Sequence, residues 1–180
     1  MIYKFATGVA IAFFLGSFNF PQLSPHLLSS LSPVYPDGFP GLALFLLRVS
    51  LGWLFILHGY PKITYLQQWA ESLKTPVVLC FLSAASMVGG GIFLIIGFLT
   101  LLDTLPILCS MIFAIYLDIS GSKPFVAQDP YLIPEDQYKG PLGKGEPPSW
   151  EKAFMYCVML IAIAVLGPGA YSLDTLIFGR

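Results

Sequence analysis

Residues 41–60, GLALFLLRVSLGWLFILHGY, decide the fold. A bilayer core of about 30 Å is crossed by roughly 20 helical residues. This run has that length, and Arg48 is its one permanently charged side chain. Three more apolar runs follow, at 76–102, 104–119 and 153–166, the last stopping at Gly167-Pro168-Gly169. The first two runs satisfy the spanning length outright. The third and fourth are shorter, and Tyr116, Trp150 and Tyr156 extend them into the headgroup layer, where aromatic rings collect.

Composition agrees. The chain has 180 residues, of which 56% are apolar and 11% charged. Soluble domains carry about a quarter of their residues as charged types, so lipid rather than water is the main solvent. A net charge of −1 carries no basic footprint for nucleic acid. Cys80, Cys109 and Cys157 lie in apolar runs without metal-type spacing, and they read as packing residues rather than as a disulfide framework or zinc site.

At the amino end, Lys4 precedes the apolar stretch 5–18 (FATGVAIAFFLGSF) without a clean small-x-small cleavage site. It is expected to be a retained, additional amino-terminal membrane helix. Charge bias supports this count. With five spans and the amino terminus inside, Lys4, Lys62, Lys74, Lys123, Lys139, Lys144 and Lys152 all face inward and only Arg180 faces outward. A four-span chain entering at Gly41 from inside would reverse six of those lysines. The expected organisation is therefore residues 1–40 as an amino-terminal helix and outer loop, and 41–180 as a four-helix bundle. An irregular inner loop at 120–149, rich in proline and acidic residues, either lies on the bundle or grips a partner subunit. The expected place is a bacterial inner membrane or a thylakoid-type membrane.

Ionisable residues inside a membrane are costly and need partners. Arg48 lies about 10 Å into its helix at 1.5 Å per residue, and its expected partner is Asp174 or Asp103 near the outer face. Asp103, between the second and third runs, is expected at the wet tip of a tight hairpin, with Pro106 in the first turn of the returning helix. The alternative for Arg48 is contact with a quinone or another ligand. His58, ten residues further and about 15 Å away, belongs to a different place. It is either an interfacial hydrogen-bonded side chain or a quinone or proton-relay partner. A bis-histidine haem is disfavoured, since the other histidine, His26, falls in the opposite loop, and no metal site is expected. Ser83, Ser86, Gly90 and Gly97 share one helix face, and with Gly52 they form the expected helix-packing surface, because small residues let membrane helices approach closely. A flat cleft for a quinone or lipid tail is the other reading of that stripe. Phosphate loops, dinucleotide fingerprints and catalytic triads are missing from the sequence.

Taken together, three stretches resemble the DoxX family of small membrane proteins, related to the DoxD subunit of thiosulfate:quinone oxidoreductase. They are Leu47-Arg48-Val49-Ser50-Leu51-Gly52 through Leu57-His58-Gly59 and Lys62; Gly90-Gly91-Ile92-Phe93-Leu94-Ile95-Ile96-Gly97; and Leu166-Gly167-Pro168-Gly169-Ala170-Tyr171-Ser172-Leu173-Asp174. Two departures stand out. Met87 occupies the place of a carboxylate that often precedes the glycines, and Thr100-Leu101 stands where Thr-Arg is frequent. The resemblance implies an all-α, integral-membrane, four-helix core and an association with quinone-linked oxidoreductases. The expected function is a non-catalytic subunit or accessory protein of a quinone-linked redox or energy-transducing complex, with no confident catalytic residue and quinone as the one cofactor in view. The alternatives are a DoxD-like subunit passing electrons from thiosulfate to quinone, and a small-molecule or lipid carrier.

Overall fold

The computed structural model describes residues 35–178 apart from 138, 141 and 142, with the side chains of 137–144 also outside the description. The chain divides between Ser32 and Pro33, and all that follows lies on the carboxyl-terminal side. The amino-terminal helix expected at 5–18, and His26, fall outside the described residues.

The protein is an all-α bundle. Its elements are α1 (Gly38–Thr64), α2 (Leu66–Leu73), α3 (Val77–Ile96), α4 (Thr100–Ser120), α5 (Glu151–Leu166) and the short α6 (Leu173–Phe178). Between α4 and α5 lie a single 3-10 turn, Glu135–Gln137, and a two-residue antiparallel ribbon pairing β1 (Lys139–Gly140) with β2 (Gly143–Lys144). The three helices α1, α3 and α4 are long and apolar enough to cross a membrane. α5, at 16 residues, reaches about 24 Å at 1.5 Å per residue.

Hydropathy alone misplaced one boundary. The run 76–102 is not one helix: α3 ends at Ile96 and α4 begins at Thr100. Gly97 takes a left-handed conformation (φ 66°), the Gly97 amide donates to the Leu94 carbonyl (3.2 Å) and the Phe98 amide to the Phe93 carbonyl (3.0 Å). That bond pair is the Schellman termination, for which a glycine is favoured. The returning helix therefore starts earlier than expected and reaches 21 residues, enough to span. As a consequence Asp103 is not at a wet tip. It sits in the first turn of α4 and is 7% exposed.

α1 packs most extensively on α3, α4 on α5, and α3 on α4. The α1–α3 approach is backbone to backbone. A Cβ on Gly91 would come within 2.6 Å of the Gly52 carbonyl and 2.8 Å of Ile56 Cγ1, and one on Gly52 would strike the Gly91 carbonyl. Glycine at both positions is what lets the helices touch, as small-residue packing requires where lipid supplies no hydrophobic drive. On the other side of α3, the Ser86 and Ser110 hydroxyls meet at 3.1 Å, and Gly90 faces Asp103 and Ile107 of α4. Inside are Leu51, Phe55, Met87, Leu94, Ile107, Met111, Cys157, Leu160 and Ile163. Cys80 is buried too, whereas Cys109 is exposed on the outer face of α4. That outer face continues in Leu46, Trp53, Val78, Leu102, Ile112 and Val165, all exposed. Apolar exposure of this extent suits a lipid environment and not water. The protein is an integral membrane protein.

Candidate functional site

Six buried polar or charged residues are found among the described residues: Arg48, Thr100, Asp103, Thr104, Ser172 and Asp174. All belong to the end of the bundle where α3 turns into α4. Arg48 comes from the middle of α1, Asp103 and both threonines from the first turns of α4, and Ser172 and Asp174 from the segment after α5.

Arg48 is 0% exposed. Its Nη1 donates to the Leu94 carbonyl at 3.0 Å and its Nη2 to the Tyr171 carbonyl at 2.6 Å. Leu94 lies in the last turn of α3, and its carbonyl accepts from both the Gly97 amide and the guanidinium, so Arg48 reinforces that helix end. Tyr171 belongs to the Leu166–Asp174 segment that closes the bundle. One arginine thus ties α1, α3 and the carboxyl-terminal segment together. The local backbone is shaped around it: a Cβ on Gly97 would collide with Arg48 Nη1 and lie 2.6 Å from Ser172 Cβ.

Asp174 secures the same corner from the other direction. Its carboxylate accepts from the Leu99 amide (2.6 Å) and the Thr100 amide (2.9 Å), and its own amide donates to the Gly97 carbonyl (2.9 Å). The N-terminus of α4 is therefore capped by a carboxylate from a distant segment, which satisfies two unpaired donors and opposes the positive end of the helix dipole. Gly169 (φ 76°) bends the segment, the Ala170 amide donates to the Pro36 carbonyl at 2.8 Å, and the Ser172 and Thr175 hydroxyls both donate to the Gly169 carbonyl at 2.7 Å.

The charge pair expected between Arg48 and Asp174 or Asp103 does not take a direct form. The guanidinium bonds two carbonyls and the Asp174 oxygens bond two amides. Both charges are thus held by backbone groups, Arg48 by carbonyls of α3 and of the carboxyl-terminal segment and Asp174 by amides at the start of α4, and charge-assisted bonds to the backbone are stronger than neutral ones. Asp103 is brought against Gly90, its Oδ2 unpartnered; Arg48 Nε and Thr100 Oγ1 are the other buried polar side-chain atoms without a partner among the described residues.

The guanidinium is enclosed between α1, α3 and the carboxyl-terminal segment. His58 is elsewhere, exposed on α1, with Nδ1–H donating to the Leu54 carbonyl at 2.8 Å and its ring 6.0 Å from that of Tyr156. The structure does not bring His58 and Arg48 together. The small-residue face does pack: Ser86 and Gly90 meet α4, Gly97 meets Arg48, and Gly52 meets Gly91. Ser83 instead borders an open cleft near Lys62 and Trp69. Sequence reasoning missed this cleft. The signal available was Lys62, an amine still inside the apolar helix, together with the amphipathic run LQQWAESL that forms α2.

The model of the DoxX family matches residues 43–118, a stretch that runs from the second turn of α1 almost to the end of α4. The match stops before the inner loop, so the Leu166–Asp174 motif and α5 lie outside it. Comparison with curated proteins gives no match, and comparison with solved structures gives none. Over residues 43–118, which hold most of α1, all of α2 and α3 and nearly all of α4, this apolar membrane bundle is similar to the DoxX family.

Proposed function

We propose that the chain is a non-catalytic subunit or accessory protein of a quinone-linked redox or energy-transducing membrane complex. The observation that carries this reading is the occupation of Arg48: among the described residues it is the cation deep in the membrane region, and it is fully buried and engaged by backbone carbonyls. A group held in this way stabilises a fold and has no face to offer a substrate. His58 is exposed on α1 and engaged by the Leu54 carbonyl and the Tyr156 ring, and Met87 is a buried core residue that also meets the Lys62 amine. His58 and Met87 thus do not join Arg48 in one site.

A partner is supported by the loop between α4 and α5. Its first part is anchored, with the Phe125 and Trp150 rings tilted against each other at 4.3 Å between centroids and the Glu151 amide donating to the Phe125 carbonyl. Beyond that anchor Tyr131 and Leu132 are 82% and 70% exposed. Large apolar side chains presented outside the spanning helices mark contact surfaces. In this reading the lysine-bearing end faces the cytoplasm, with the amino terminus inside, as the positive-inside rule favours. The membrane is then a bacterial inner or thylakoid-type one.

Mild detergent extraction of the tagged full chain tests the proposal. A larger redox complex that copurifies, and is lost when Tyr131 and Leu132 are both changed to Ser, is the expected result. Purified chain that by itself reduces a quinone analogue with thiosulfate would overturn it in favour of a DoxD-like enzyme subunit.

A further inference from the structure

The opposite end of the bundle from the Arg48 corner opens into a cleft of about 170 Å³ between α1, α2, α3 and α4. Its polar lining is Lys62, Trp69, Ser83, Ser110 and Asp118, and most of its remaining wall is apolar, Leu79 and Phe113 included. Lys62 is the distinctive member. Its Nζ lies 4.9 Å from the centroid of the Trp69 ring and donates to Met87 Sδ at 3.6 Å. A thioether is a weak acceptor, and the ring face supplies an attraction without accepting a second strong bond. The carboxylate in the same cleft, Asp118, is bound by Lys123 at 2.7 Å. Lys62 has no carboxylate within ion-pair distance among the described residues, and the three charged groups around the cleft sum to one positive charge. A partly buried amine whose only cleft carboxylate, Asp118, is already paired with Lys123 is incompletely compensated, and an incoming anion lowers that cost.

Position and size narrow the anion. Lys62 falls in the last turn of α1 and Asp118 in the last turn of α4, at the ends of two spanning helices, which is headgroup depth. Trp69 sits on α2, a short amphipathic helix between two spans, of the kind that lies in the interface. A cavity of about 150 Å³ accommodates a benzene-sized guest, so this cleft accepts one compact group. We propose that the cleft binds the phosphate headgroup of an anionic bilayer phospholipid, with Lys62 as the charge partner and Ser83 and Ser110 as hydroxyl partners, while the acyl chains remain against the apolar outer faces of the helices. This site is independent of the subunit reading above.

Native mass spectrometry of the full chain, delipidated in mild detergent and titrated with phosphatidylglycerol or phosphatidylcholine, tests the proposal. The expected result is retention of phosphatidylglycerol about tenfold tighter than phosphatidylcholine, the scale of one charge-assisted contact. Lys62→Gln should remove that preference, Lys62→Arg should keep it, and Lys152→Gln, on the surface, should leave it unchanged. Should Lys62→Gln elute as aggregate, Ser83→Leu decides, since it fills the cleft with Lys62 in place and should abolish the preference equally. A preference that survives both Lys62→Gln and Ser83→Leu overturns the site. Displacement of bound lipid by millimolar inorganic phosphate overturns the lipid as its source.

Discussion

Gly97 carries two constraints at once, a left-handed backbone and a guanidinium pressed against its Cα. Gly97→Ala should therefore cost about 1 kcal/mol for the conformation and more for displacing Arg48, read as a lowered midpoint in detergent unfolding. Asp174→Asn keeps one acceptor oxygen but loses the charge at the start of α4, and should cost about 1 kcal/mol. Asp103 behaves oppositely. Its buried Oδ2 has no partner, and an unpaired carboxylate there is a liability, so Asp103→Asn should leave stability unchanged or raise it. A clear loss of stability in Asp103→Asn would point to a partner for Asp103 beyond the described residues. Only part of this was legible in the sequence. An arginine inside an apolar helix announces that it must be paired, and Asp174 is near it in the fold. That its direct partners are the carbonyls of Leu94 and Tyr171 was not legible, because every residue has a carbonyl and only the tertiary arrangement selects which ones point inward.

At the scale of elements, the α1–α3 contact is the tightest joint of the bundle, and the sequence marked it through its small residues. Gly91→Val should be overpacked against Gly52 and Ile56, at a cost of about 2–3 kcal/mol. Gly89, which meets nothing within 4 Å, should accept Ala without loss, and the pair of variants compared by thermal unfolding separates packing from helix propensity. The boundary at Gly97–Leu99 was harder to read. Hydropathy continues through it without a dip, since Phe98 and Leu99 are apolar, and the break is made by backbone geometry alone, with Leu99 itself at φ 48°. α2 was equally hidden: eight residues with one buried Ala70 have too short a pattern to stand out beside spans of 20 or more.

For the whole molecule, the helices place Lys62, Lys74, Lys123 and Lys152 at one end and the Gly97 turn at the other. In intact cells of a cysteine-free background, Ser122→Cys should be protected from an impermeant thiol reagent, whereas Asp37→Cys should react. The reverse pattern would invert the proposed orientation. The bundle, its apolar exterior and its four principal helices were readable from four apolar runs, because lipid imposes one strong rule on length and composition. The Lys62 cleft was not readable, since it arises where four elements diverge and none of them carries it alone.

The most direct test of Arg48 as the structural hub is equilibrium unfolding of Arg48→Met and Arg48→Lys in detergent, each with and without Asp174→Asn. Two buried charge-assisted bonds are lost in Arg48→Met, so a destabilisation of about 3 kcal/mol is expected. Arg48→Lys, with one compact donor group in place of a fork, should recover only part of it. The effects of Arg48→Met and Asp174→Asn should be less than additive, because both act on one corner. Full stability of Arg48→Met, combined with loss of complex assembly or quinone-linked activity, would contradict the structural role and make Arg48 a functional contact instead.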